Sequence, residues 1–259
     1  MKLLHVRHAT SILTYAGYRI LIDPVFSQKE SFTHIAMTPN RRRNPMVDLS
    51  TELEVLLDVD IILSTHTHND HFDPKAKELL DKELPLVCQW KDAEQFQSLG
   101  FRNLNPVKDS IHYEGISITR VDAQHGTGVT LKAMGLASGY ILKSDIEPTV
   151  YITGDTIYNE SVKENIINYK PQILIMNAGS PKFLNSNPIV MNIMDIEKTL
   201  KVNPNLTFVI VHLDTFNHCI ETREDIHEYF TSDKLNELGI NRFYVPEDNE
   251  LLEESCFMK

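Results

Sequence analysis

The amino-acid sequence predicts a layered α/β fold, on three observations. Short, wholly apolar runs of strand length recur along its 259 residues. Stretches with helical period or turn chemistry separate them, the pattern of sheets covered by helices. No apolar run reaches the roughly 18 to 20 residues that would span a bilayer, so the apolar share of 42% belongs to a buried core. A chain of this length can form one unit with an ample interior, and a single domain over residues 1–259 is expected.

Residues 3–6 and 11–15 read as a strand pair, with Gly17 near a turn and residues 19–22 as a third strand ending at Asp23–Pro24. Between residues 27 and 50 the period is lost. Pro39, Pro45 and the run Arg41–Arg42–Arg43 mark a loop long enough to carry function. Further strands are expected over 59–63, 86–88, 115–121, 150–153, 172–176 and 207–211. Helices are expected over 75–80, 91–99, 194–201 and 222–230; Asp73 caps the first and Pro74 opens it. Residues 250–259 carry no pattern and are expected to fray. No repeat at a fixed period is visible.

Composition narrows the function classes. A net charge of −11 repels nucleic-acid phosphate, so no nucleic-acid partner is expected. Lys2 is followed by His5, Arg7 and His8, which interrupt the apolar stretch that a signal peptide needs, and a cytoplasmic location is expected. Cys88, Cys219 and Cys256 are odd in number and unpatterned, which suggests neither a disulfide framework nor a thiolate metal site. Association into a homo-oligomer stays open.

The chemistry concentrates in Thr65–His66–Thr67–His68–Asn69–Asp70–His71–Phe72–Asp73–Pro74. It follows an apolar strand and precedes a capped helix, the strand-end position where α/β sheets place their ligands. Three imidazoles and a carboxylate suit zinc, manganese or iron. His66 and His68 can point to one side while Asp70 and His71 face a second centre, so this loop can feed two metals. The partner ligands should then stand at other strand ends: His125 follows the strand over 115–121, Asp155 the strand over 150–153, and His212 the strand over 207–211.

Around this set lie residues with two readings each. His218 is an alternative to His212 as the last ligand, or a residue that supports ligands or touches substrate. His8 either faces the metal pocket or packs in the core. Asp23 either holds a ligand in place or closes a turn. Asn177–Ala178–Gly179 reads first as a plain turn that might otherwise line the pocket, and Arg41–Arg42–Arg43 first as a solvated run, with a clamp for phosphate or carboxylate as the alternative.

His-x-His-x-Asp-His, a later strand-end His, Gly154–Asp155–Thr156 and a final strand-end His resemble, in that order, the metallo-β-lactamase superfamily from about His5 to His218. His8–Ala9–Thr10, Leu21–Ile22–Asp23–Pro24 and Asp70–His71–Phe72–Asp73 resemble its branch of ascorbate-6-phosphate lactonases and N-acyl phosphatidylethanolamine phospholipases D. The resemblance implies a four-layer αββα sandwich. It gives one metal to His66, His68 and His125, a second to Asp70, His71 and His212, and makes Asp155 the bridge, with zinc the first candidate and manganese or iron open.

It further implies a hydrolase that cleaves an ester-like bond, phosphodiester or lactone or amide, of a small substrate through a hydroxide bridging the two cations. Asp70 orients that attack. Two divalent ions, two carboxylates and a hydroxide sum to about +1, which would draw an anionic substrate. The alternative is a metal-bearing binding or sensing module that kept the fold without turnover.

Overall fold

Period-two alternation along the strands builds three apolar layers. In Ile61–Ile62–Leu63, residues 61 and 63 enter a central layer while Ile62 joins an outer one; Ile173, Leu174 and Ile175 divide the same way. The computed structural model describes residues 1–257. Its first sheet holds β1 (Lys2–Arg7), β2 (Thr10–Tyr15), β3 (Tyr18–Ile22), β4 (Ile61–Ser64), β5 (Leu86–Gln89) and β6 (Leu104–Val107). The second holds β7 (Ser110–Tyr113), β8 (Ile116–Ala123), β9 (Ala137–Lys143), β10 (Val150–Ile152), β11 (Ile173–Asn177), β12 (Thr207–Val211) and β13 (Phe243–Tyr244). β14 (Glu250–Leu252) returns to the first sheet beside β1.

The central layer joins Leu13, Ile22 and Leu63 of the first sheet to Ile118, Ile152 and Val211 of the second. The outer face of the first sheet is covered by α1 (Leu53–Leu57), α2 (Pro74–Leu79) and α3 (Ala93–Ser98), through Leu56, Ala76 and Phe96. After α4 (Gly128–Met134), helices α5 (Glu160–Tyr169), α6 (Ile193–Val202), α7 (Arg223–Tyr229) and α8 (Ser232–Glu237) complete the chain, and Val162, Ile166, Ile196, Leu200 and Ile226 cover the second sheet. The result is the αββα sandwich that the sequence resemblance implies, each sheet buried on both faces.

Asp73 caps α2 by accepting from Ala76 N at 2.7 Å, with Pro74 in the first turn, as the sequence predicts. Thr222 likewise caps α7 in a capping box with Asp225. One expectation is corrected. Residues 250–252 do not fray but pair antiparallel with β1, Leu252 opposite Leu3, because Leu252 buries its side chain in the central layer. Residues 258–259 lie outside the described residues. The helices α1, α4, α5 and α8 escape a periodicity search because they are short or present few buried residues: only Leu56 in α1, and none in α4 or α8. No helix among the described residues is long and apolar enough to cross a membrane.

Candidate metal centre

β4 ends at Ser64 and the chain turns immediately, with His71 N and Phe72 N both donating to His68 O at 2.9 and 2.8 Å. That turn, locked from behind by Asp73, presents His66, His68, Asp70 and His71 to one point between the sheets. From the opposite sheet β8 delivers His125, β10 delivers Asp155 and β12 delivers His212. Donor atoms of His66, His68 and His125 lie within 4.8 Å of one another, as do those of His8, Asp70, His71 and His212, and those of His66, His71 and Asp155. Each of these groups could hold a cation.

The imidazoles are aimed by their far nitrogens. His125 Nδ1 donates to Ile189 O at 3.0 Å and His212 Nδ1 to Ala178 O at 3.1 Å, while His71 Nδ1 meets Asp23 Oδ2 at 2.8 Å. With Nδ1 carrying the proton, the neutral ring turns the lone pair of Nε2 into the cluster. His71 Nε2 and His212 Nε2 then face each other at 3.2 Å, beside Asp155 Oδ2 at 3.2 Å from His71 and Asp155 Oδ1 at 3.6 Å from His212. Lone pairs and carboxylate oxygens converging on one buried point repel unless a cation lies among them. The donor set, imidazole nitrogen and carboxylate oxygen without a thiolate, fits a divalent metal of the zinc, manganese or iron type.

The electrostatics express the same demand. Burial opposes the charge on Asp155, but His71 and His212 outweigh it and hold the carboxyl well below its usual range. Burial likewise opposes charge on Asp70, and His71, His218 and His8 overcome it. Burial lowers the pKa of His71, yet Asp155, Asp23 and Asp70 drive it well above the ordinary imidazole value, so the oxygens around this ring favour positive charge at its position. Burial depresses His8 and His66 strongly and brings His212 to about 4.

The remaining candidates divide. His218 reaches Asp70 Oδ2 with Nε2 at 3.2 Å, nearer to this carboxylate than His212 at 3.9 Å, and lines the cavity, but it stands outside the three donor groups. His8 stacks on His212 with ring centroids 3.7 Å apart, lies 3.6 Å from Asp70 Oδ2, and neither ring nitrogen has a hydrogen-bond partner. Asp23 does more than close a turn: it accepts from Thr65 N and Thr65 Oγ1 at 2.8 and 2.7 Å while gripping His71. Asn177, read first as part of a plain turn, donates to Asp155 Oδ1 at 2.8 Å, and Ala178 O anchors His212. His8, Asp23 and His212 all sit at positive φ (54°, 44° and 71°), a strain of about 1–3 kcal/mol each that gathers at functional sites. Arg41, Arg42 and Arg43 are exposed and absent from the cavity lining, which favours the solvated-run reading. Thr65 opens the histidine motif without a role that spacing reveals, and Asn217 forms part of no spaced pattern; both are buried.

A cavity of about 610 Å³ opens on the cluster. Its floor includes His68, Asp70, His125 and His218; Phe32, Ile35, Met134, Phe183, Ile189 and Phe216 form its walls, and no Lys or Arg lines it. A second cavity, of about 760 Å³, touches Pro148, Gln172 and Thr207 at the amino-terminal ends of β10, β11 and β12, and holds none of the donor residues. The chemistry thus sits at the carboxyl ends of the strands, where a sheet places ligands.

Comparison with known proteins agrees with this geometry. Residues 18–212 match the model of a family described as a beta-lactamase superfamily domain. The chain is 31% identical to the UPF0173 protein YddR of Bacillus subtilis over 255 residues, 96% of this chain and 98% of that one. Among solved structures it resembles a possible metal-dependent hydrolase from Veillonella parvula, with TM-score 0.92 and 32% identity over 97% of this chain and 98% of that one. It also resembles an isothiocyanate hydrolase from Delia radicum gut bacteria, with TM-score 0.91 and 34% identity over 98% of this chain and 99% of that one.

Proposed function

This chain belongs to the β-lactamase superfamily of metal-dependent hydrolases, and from that premise we propose that it uses two divalent cations to hydrolyse a small substrate with an apolar tail and an electrophilic head. His66, His68 and His125 would hold one cation and Asp70, His71 and His212 the other, with Asp155 offering its carboxylate to both groups. Zinc is the first candidate, with manganese or iron as alternatives. The observation that carries the reading is the convergence of Nε2 lone pairs and Asp155 oxygens on one buried point beneath a cavity with aromatic and aliphatic side chains in its walls.

When bound, the cations supply Lewis acidity and lower the pKa of water so that hydrolysis runs near neutral pH. The chain's own residues do the rest. Asp70, at the cavity floor, accepts a hydrogen bond from the attacking water and orients it. His218, beside it, meets the head of the substrate. Asp23 and Asn177 keep His71 and Asp155 in register.

The walls choose the substrate class. The lining offers an anionic group no Lys or Arg, only histidines and neutral polar side chains beside the cations, whereas Phe32, Ile35, Phe183 and Phe216 match an apolar tail. An isothiocyanate, the substrate class in the name of one similar protein, has this form: an uncharged, linear head on an organic tail. Water attacks its central carbon, a C–O bond forms, the C–N bond breaks, and both water protons end on nitrogen, giving an amine and carbonyl sulfide. Phosphodiester and lactone or amide cleavage remain the other classes for the same site. The closer tie to the lactonase and phospholipase D branch rests on the sequence motifs alone.

The test is hydrolysis by protein reconstituted with zinc, manganese or iron, offered benzyl isothiocyanate, bis-p-nitrophenyl phosphate and a simple lactone. Metal-dependent loss of the isothiocyanate, well ahead of the other two, is expected. Turnover of the phosphodiester alone would overturn the substrate class while leaving the centre in place.

A further inference from the structure

Asn217 stands between Phe216 and His218, which both line the cavity, yet does not line it itself. It is fully buried, and its amide is spent on one distant segment. Oδ1 accepts from Ile35 N at 2.9 Å and from Asn44 Nδ2 at 2.7 Å. Nδ2 donates to Thr38 Oγ1 and Asn40 O, both at 2.6 Å, and more weakly to Ile35 O at 3.2 Å. The backbone N donates to Asn44 Oδ1 at 2.8 Å. The segment they hold is folded on itself by Phe32 N to Asn44 O at 2.7 Å and Asn44 N to Phe32 O at 3.2 Å, and it supplies the wall residues Phe32 and Ile35. Both hydrogens and both lone-pair sides of the amide are therefore engaged; aspartate would set a carboxylate against two carbonyls, and alanine would leave buried donors and acceptors unpaired.

We propose that Asn217 is the positioning residue that sets the distance between the Phe32–Ile35 wall and the Phe216–His218 side of the cavity, and so selects the substrate by the width of its tail. The selection rests on the apolar-tail reading above; the fixing of the wall does not. The side chains and backbone groups that Asn217 holds belong to Ile35, Thr38, Asn40 and Asn44, none of them a donor residue, so a shift of the wall alters tail binding without moving the cluster behind it.

The metal-loaded wild type, Asn217→Ala and Thr38→Val are compared by hydrogen exchange over residues 31–46 and by kinetics on benzyl and methyl isothiocyanate, with metal content measured for each. Asn217→Ala should speed exchange in 31–46 at unchanged metal content. It should raise KM for the benzyl compound about tenfold, the order expected for a lost apolar wall contact, with kcat nearly unchanged and the methyl compound unaffected. Thr38→Val should do the same to a smaller degree. Unchanged exchange in Asn217→Ala overturns the proposal, as does a KM rise equal for both probes or a loss of metal. Should the wild type act on neither probe, the substrate reading fails alone, and the exchange data still decide whether Asn217 fixes the wall.

Discussion

The two sheets share one plan and use it differently. Reading β14-β1-β2-β3-β4-β5-β6 against β7-β8-β9-β10-β11-β12-β13, each sheet makes three antiparallel pairings and then three parallel ones. The first strand-end histidine of each plan is His8 after β1 and His125 after β8; the acid after the third step is Asp23 after β3 and Asp155 after β10. In the second sheet these residues meet the cluster directly, one per strand. In the first sheet a single turn after β4 brings four of the cluster's side chains, His8 joins from the end of β1, and Asp23 stands behind the turn to hold His71. Equivalent positions thus carry unequal chemistry: the carboxylate at the end of β10 faces the cluster, and the one at the end of β3 orients His71 from behind.

The largest expected difference follows from that inequality. Asp155→Ala removes both carboxylate oxygens, Oδ2 facing His71 and His125 and Oδ1 facing His212, and turnover should fall by about 10³-fold or more, several kcal/mol of metal-supplied stabilisation. Comparable activity in Asp155→Ala and Asp23→Ala would break the distinction. Next comes Gly154→Ala. Its φ of +61° and a Cβ that would lie 2.2 Å from Ser138 O make the turn before Asp155 intolerant of a side chain. A loss of about 3 kcal/mol should lower Tm by about 6–12 °C, and an unshifted Tm would count against the tight passage beside β9.

Asp23→Asn should follow, lowering metal affinity by about 10- to 100-fold, as read by competition with a chelator. An effect as large as that of Asp155→Ala would make Asp23 more than a support. The smallest difference concerns His5 in β1, which burial, aided by Arg223, brings to about 3. Between pH 6.5 and 3 the unfolded chain binds a proton there that the native chain does not. Stability is therefore lost as pH falls through this window, by about 1.4 kcal/mol per unit. Denaturant titrations at pH 7 and 5 should show a shallower loss in His5→Asn, and an identical slope would remove His5 from the acid response.

The same inequality explains what the sequence makes legible. His66, His68, Asp70 and His71 stand within six residues, so spacing alone marks them. His125, Asp155 and His212 become readable once apolar strands are seen to end at them. Asp23 reads equally as a ligand support or a turn and Asn177 first as a turn, since their roles depend on neighbours 48 and 22 positions away. Asn217 is harder still, its partners lying 173 to 182 residues back. A layered α/β fold is legible in the strand runs and the sandwich in the family resemblance, whereas β14 is in neither, because a three-residue edge strand at Glu250–Leu252 shows no period until β1 is there to receive it.

The central claim, that both sheets are needed to complete a two-cation centre, is tested most directly by metal content per chain in the wild type, Asp155→Ala and His212→Ala. About two divalent ions per wild-type chain, and fewer in both variants, are expected. One ion at most in the wild type, or two retained in His212→Ala, would contradict it and put His218 or a single-cation site in its place.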